Sequence, residues 1–422
     1  MTRKMKDSGF AWIGKIPIDW DVQKVKTAFY RSKAEAHIDD PVVLSLARSG
    51  VKIRDISTNE GQLAESYYNY NPVVPGDLLL NPMDLYSGAN CSVSKVEGVI
   101  SPAYINLRTR GDYSPSYYDY YFKTQYWAMA LFAHGKGVSF DNRWTLSPND
   151  LFNYAIPVPS FEEQEKIADY LDQKCAQIDS VISKTKATIE EYKLLKQSLI
   201  TKAVTKGIHV NCEMIETEYE WIGKIPSTWK AIKVKWLLAE RKERSEKGHE
   251  EPLSMSQKFG LIPTKEMDMI PNMAASFVGA KLVYIGDLVF NKLKAHLGVF
   301  AVSKYEGLVS PDYAVYYPTG LANVKYLEYL FKTPQYIAEF RKKSSGVGAG
   351  LTRLYTGDLF SIYCSLPPME EQEEIIAYLD KQCSEMDALI ARKTALLEEM
   401  ERYKKSVIFE YVTGKKEVPA CQ

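Results

Sequence analysis

The 422-residue chain carries no net charge: 53 Lys and Arg meet 53 Asp and Glu, with only five His beside them. That balance excludes a strongly basic, sequence-blind nucleic-acid coat, because neutralising phosphates needs a surplus of cations, although it leaves room for a local basic face. Nowhere is there a run of about 18 apolar residues, the length a membrane-spanning helix needs. The N-terminus reaches Gly14, Lys15 and Pro17 before an apolar signal core forms. Cysteine is sparse and scattered. Cys91, Cys175, Cys212, Cys364, Cys383 and Cys421 include no C-x-x-C pair and no His at zinc-ligand spacing. We expect a reduced, cytoplasmic protein, without membrane partners, whose cysteines serve as small buried apolar residues. What is present, 45% apolar and 25% charged residues, is ordinary for folded protein, and the length suggests two to four domains.

Two further absences are local. Residues 160–206 and 369–413 contain no Gly and no Pro, and freedom from breakers over some 45 residues predicts two long helices. The first opens on Ser160-Phe161-Glu162-Glu163, an S-x-x-E capping box, and the two end near Gly207 and Gly414. All seven Trp, and every Pro but one, lie in 1–159 and 208–368. There, short apolar runs such as 42–47, 77–81, 281–286 and 287–291 read as strands, and Ser116–Ala133 and Val324–Phe340 as aromatic-rich helices.

The chain repeats itself. Trp12–Pro17 reads WIGKIP, as does Trp221–Pro226, each with a further Trp three residues on, Trp20 and Trp229, at an offset of 209. In the same order recur Gly76-Asp77-Leu78 and Gly286-Asp287-Leu288, then Asn81 and Asn291, Glu97-Gly98 and Glu306-Gly307, and Phe122-Lys123-Thr124 and Phe331-Lys332-Thr333. Glu163-Gln164-Glu165 with Tyr170-Leu171-Asp172 recurs as Glu371-Gln372-Glu373 with Tyr378-Leu379-Asp380. A period of half the chain is one unit used twice, not a solenoid. The division expected is a globule at 1–159, a helix at 160–207, a second globule at 208–368 and a second helix with its tail at 369–422.

Apolar residues along the helices keep a 4-3 spacing: Leu171, Cys175, Ile178, Ile182, Thr185, Ile189, Tyr192, and Leu379, Cys383, Met386, Ile390, Lys393, Leu397, Met400. That is coiled-coil spacing. Charge selects the orientation. From Glu162 to Asp179 there are six acids and two bases, from Lys184 to Lys206 six bases and two acids, and the second helix repeats the polarity. Only antiparallel pairing sets each acidic half against a basic one; a helix dipole alone accounts for no more than the terminal turns. Each helix would measure roughly 65 to 70 Å, about two turns of B-DNA, a ruler between two globules. The fold class expected is α+β: two mixed α/β domains joined by two long helices in an antiparallel coiled coil, with a pseudo-twofold internal repeat.

Paired W-I-G-x-I-P-x-x-W segments, two unlike globules and two E-Q-x-x-I-x-x-Y-L-D helices resemble the specificity subunits of type I restriction-modification enzymes, over essentially the whole chain. The resemblance implies a bacterial or archaeal host-defence protein without catalysis of its own. Each globule would be a target-recognition domain reading one half of a bipartite site in double-stranded DNA, with the helices setting the spacer. The partners implied are two modification (methyltransferase) subunits and, for cleavage, restriction subunits; AdoMet, ATP and Mg would sit on those partners and no cofactor on this chain. Because the globules differ outside the shared anchors, as in 40–55 against 251–266, the half-sites should be unlike. The rivals are a protein-interaction scaffold without DNA affinity and a self-sufficient methyltransferase.

Catalytic motifs do not support an enzyme. Asn81-Pro82-Met83-Asp84 lacks the second Pro and the aromatic of a methyltransferase loop, and its counterpart Asn291-Lys292-Leu293-Lys294 lacks both prolines. Gly346–Gly350 is G-x-G-x-G without the following Lys-Ser/Thr of a phosphate loop. DNA contacts are expected instead from polar and basic residues between the anchors: Tyr86, Ser87 and Asn90, with Lys136, Ser139, Asn142 and Arg143, in the first globule; Lys292, Lys294 and His296, with Lys342, Lys343, Ser344, Thr352 and Arg353, in the second. Lys136→Ala or Arg353→Ala is expected to weaken binding. The 29 Tyr read as core or partner interface before a base-stacking surface, and Trp12, Trp20, Trp221 and Trp229 as anchors of globule to helix.

The zero charge then resolves into parts: 17 bases against 16 acids in 1–159, eight of each in 160–207, 20 against 17 in 208–368, and eight against 12 in 369–422.

Overall fold

The computed structural model describes residues 3–57, 64–86, 88, 90–137, 144–209, 212–256, 259–267, 276–346 and 352–419. The chain forms two compact units, one made of 1–186 with 395–422 and the other of 187–394. These units group the sequence segments differently from the division at 159, 207 and 368: each gathers one globule with part of both long helices.

In the first unit a four-stranded antiparallel sheet is built from β1 (Phe29–Arg31), β2 (Leu78–Leu80), β3 (Cys91–Val93) and β4 (Ile105–Thr109), in the order β1-β4-β2-β3. In the second unit β5 (Leu238–Glu240), β6 (Leu288–Asn291), β7 (Phe300–Val302) and β8 (Tyr313–Pro318) repeat the order as β5-β8-β6-β7. The sequence run after each G-D is apolar without interruption because both faces of this inner strand are covered. Leu78 and Leu80 join one core with Phe29, Leu107 and Tyr118, while Leu79 points the opposite way into a core with Leu44, Val73 and Ile100. Leu288 and Phe290 part from Val289 in the same manner.

The shared Glu-Gly places a glycine where backbone crosses backbone. A β-carbon on Gly98 would lie 2.5 Å from Val42 O, and one on Gly307 would collide with Glu251 O.

The aromatic stretches depart from the expectation of one helix each. The first is an α-helix only over Pro115–Trp127, ends before Met129, whose φ is 57°, and resumes as a single 3-10 turn at Phe132–His134. The second is two helices, Val324–Phe331 and Pro334–Lys343, because Pro334 has no N–H to continue the first and sits instead at the start of the second. Their tyrosines are core: Tyr117, Tyr118, Tyr121, Tyr126, Tyr326 and Tyr336 are buried. Of the described cysteines Cys91, Cys175, Cys364 and Cys383 are buried, but Cys212 is exposed, against expectation, because it stands in the linker after the first long helix instead of on a packed face.

The long helices run Phe161–Lys206 and Met369–Val412. Ser160 Oγ accepts from the Glu163 N–H at 3.3 Å, so the cap is real. Gly207 and Gly414 follow the helices with φ of 77° and 68°, the left-handed turn that only glycine adopts without strain. Within the first unit Tyr170 meets Tyr411, Asp179 accepts from Lys404 at 2.6 Å, and Lys186 lies 3.8 Å from Glu401. Within the second, Tyr192 lies under Lys393 and Lys196 reaches Asp387 at 2.6 Å. Numbers rise on one helix as they fall on the other, so the pairing is antiparallel, and acidic early turns face basic late turns. Leu171, Cys175, Ile178, Ile182, Thr185 and Ile189 are buried along the seam, as are Leu379 and Cys383, with the later seam positions of the second helix half-buried.

Candidate nucleic-acid interface

In both copies the sequence anchors close a globule onto helical ends, which leaves the loops between them to face outward. Gln164 is buried, accepts from Ser114 N–H at 2.9 Å and donates to Pro159 O at 2.9 Å; Gln372 does the same with Asn323 N–H at 2.8 Å and Pro367 O at 2.9 Å. The Asp of each Y-L-D accepts from a tyrosine, Tyr120 onto Asp172 at 2.6 Å and Tyr329 onto Asp380 at 2.7 Å. Tyr117 OH donates to Val412 O at 2.8 Å and Tyr326 OH to Val204 O at 3.0 Å. Burial pushes both of these phenols well above their ordinary range, so they remain donors. Trp20 is buried and gives its Nε1–H to Glu163 at 2.8 Å, and Trp229 packs against Gly207, so these two tryptophans anchor globule to helix. Trp12 and Trp221 instead pack within the globules, on Tyr154 and Tyr336.

The loop after the inner strand begins alike in both units. Asn81 Oδ1 accepts from Met83 N–H at 3.0 Å and Asn291 Oδ1 from Leu293 N–H at 3.2 Å. The shared Asn is thus a turn-former in both copies. A second segment then docks on this loop through one backbone bond, Leu146 N–H to Pro82 O at 2.9 Å in the first unit and Leu354 N–H to Lys292 O at 3.0 Å in the second. The two candidate loops of each globule, distant in sequence, therefore form one ledge.

On the first ledge Tyr86 is 74% exposed and its ring lies 6.4 Å from Phe132. Lys136 is exposed, with its ammonium 3.5 Å from Asp150, and its backbone pairs with Thr145. Asn90 corrects the expectation of a surface reader: it is buried, and its amide donates to Asp84 at 2.8 Å, closing the loop from inside. Ser87, Ser139, Asn142 and Arg143 lie outside the described residues.

On the second ledge Lys294 is exposed and Lys292 half-buried. Burial, then the charges of Lys281 and Arg353, hold the Lys292 ammonium below the usual lysine range, against the pull of Glu240 and Asp312. His296 Nδ1 is 3.4 Å from Thr352 Oγ1, and Arg353 donates to Asp312 at 3.1 Å while its buried Nε has no partner. Thr352 and Arg353 pair as a short strand with Ser345 and Gly346. Lys342 and Lys343 are exposed on the last turn of the Pro334–Lys343 helix. Ser344 does not belong with them, since its hydroxyl donates to Phe340 O at 2.7 Å and closes that helix. Beyond Gly346, the rest of the glycine-rich stretch lies outside the described residues. Sequence reasoning passed over Lys281, which reads as an ordinary strand residue yet is almost fully buried beside Glu240, 3.4 Å away, beneath this ledge.

No protein-family model matches the chain. It is 23% identical over 438 residues to a Methanocaldococcus jannaschii protein carrying the name type I restriction enzyme MjaX specificity subunit, covering 96% of this chain and 95% of that one. Among solved structures, one from work on the assembly and conformational transition of the type I restriction-modification system superposes with a TM-score of 0.70 at 15% identity, covering 95% of this chain and 99% of the other. The HsdS subunit from Thermoanaerobacter tengcongensis gives 0.55 at 16% identity, covering 97% and 100%. The similarity in sequence and the likeness in fold both run along nearly the full chain.

Proposed function

We infer that the chain is a specificity subunit of a type I restriction-modification enzyme, a DNA-recognition subunit without catalysis of its own. The observation that carries this is the end-to-end similarity to a named specificity subunit, joined to the matching fold. Two copies of one globule, each presenting a polar ledge built from two distant loops, supply two readers. The ledges differ residue by residue, Asp84 and Tyr86 in one and Lys294 and His296 in the other, which supports half-sites of unlike sequence. The antiparallel helices would set the spacer between those half-sites.

The chain acts with other subunits of the restriction-modification system and with DNA. We assign it two modification subunits, with restriction subunits joining for cleavage, and leave AdoMet, ATP and Mg to those partners. A protein-interaction scaffold finds no support in the relatives.

The test is fluorescence anisotropy on the chain reconstituted with its modification subunits. We expect cognate duplex to bind at least about a thousandfold more tightly than random duplex. A complex in which this chain adds neither affinity nor discrimination would reject the assignment.

A further inference from the structure

The two ledges share one backbone docking bond but differ in charge. Among the described residues, 82–86 with 129–137 and 144–146 in the first hold one base and one acid; 292–298 with 338–346 and 352–354 in the second hold six bases and one acid. Contacts widen the difference. On the first ledge Lys136 faces Asp150. On the second, Arg353 takes Asp312 and Lys342 lies 4.0 Å from Glu339, while Lys292, Lys294, Arg341 and Lys343 make no ion pair among the described residues. Lys292 is half-buried, and burial with the charges of Lys281 and Arg353 holds its ammonium below the usual lysine range while Glu240 and Asp312 pull the other way. An arriving anion favours the charged form of such a group. An anion with repeated negative charge at close spacing is the DNA backbone itself.

We propose that the two recognition domains divide their work: the second ledge, with Lys292 and Lys294 at its centre, grips backbone phosphates and supplies most of the electrostatic affinity, while the near-neutral first ledge contributes contacts that depend little on salt. This rests on the DNA-recognition reading above. It predicts that the salt dependence of the whole complex originates largely in one half of the molecule.

The test is the slope of log affinity against log salt for the chain with its modification subunits, on cognate and random duplex, comparing wild type with Lys292→Gln, Lys294→Gln, the double variant and Lys136→Gln. Lys294 is exposed, so its replacement leaves the fold intact whatever Lys292→Gln does. Each second-ledge variant is expected to lower the slope by about 0.9 and the double by about twice that, with cognate and random duplex weakened alike; Lys136→Gln should change the slope by less than half as much. An unchanged slope in Lys294→Gln and the double variant would overturn the proposal, as would an equal loss in Lys136→Gln or a weakening confined to cognate duplex. If the wild-type complex binds no DNA, the recognition reading fails and this proposal with it; binding with an unaltered slope removes the proposal alone.

Discussion

At the scale of single residues, Asp77 and Asp287 show one requirement met in two ways. Each follows the glycine that ends a turn, is almost wholly buried, and accepts from a turn N–H, Val74 at 3.0 Å and Tyr284 at 2.9 Å. Each also needs a cation. Arg108 on β4 supplies it in the first copy, with bonds of 2.7 and 3.0 Å, and Arg241, just after β5, in the second, with 2.7 and 2.9 Å. Asp77 has a further donor in Asn106, at 2.7 Å, which Asp287 lacks. Arg241→Ala should therefore cost about 3 kcal/mol and Arg108→Ala about 2, since each leaves a buried carboxylate short of a partner. Urea denaturation measures both; losses below about 0.5 kcal/mol, or the reverse ranking, would contradict this account. The repeated G-D-L was visible in the sequence, but its arginines were not. They come from different strands in the two copies, so comparing one half with the other hides them.

At the scale of elements, the helices were the most legible part. Freedom from Gly and Pro, a capping box, a 4-3 apolar spacing and opposed charge halves all point to one arrangement, and Asp179 with Lys404 and Lys196 with Asp387 realise it. Those pairs are exposed, so they select orientation more than they stabilise. Asp179→Lys should lose about 0.5 kcal/mol and Asp179→Lys with Lys404→Asp should regain it; a double variant no more stable than the single would argue against the pairing. Gln164 and Gln372 matter more. Each is buried and bridges two backbone groups where globule meets helix, so Gln164→Ala or Gln372→Ala should cost about 2 kcal/mol by thermal or chemical denaturation. A cost near zero for both would mean the bridges are incidental. The break at Pro334 was in plain sight in the sequence, and the aromatic periodicity on either side of it masked the signal. Asn90 was misplaced for a different reason: loop position says nothing about burial, and only the fold reveals that its amide closes on Asp84.

For the whole molecule, a net charge of zero is the sum of unevenly distributed parts. Bases gather on one ledge, acids gather in the early turns of the helices, and the sum conceals both. The fold could be read from repeats, spacing and charge order. The site was legible only to the level of loops, because what decides a residue's role there, burial and the neighbour it already holds, arises from contacts between segments far apart in sequence. The central claim is that two unlike domains each read half of one target. Methylation mapping of DNA from a host carrying this chain with its modification subunit tests it most directly. The account predicts methylation at a single bipartite motif with two different half-sites at a fixed spacing; a palindromic motif, a continuous one, or no methylation dependent on this chain would contradict it.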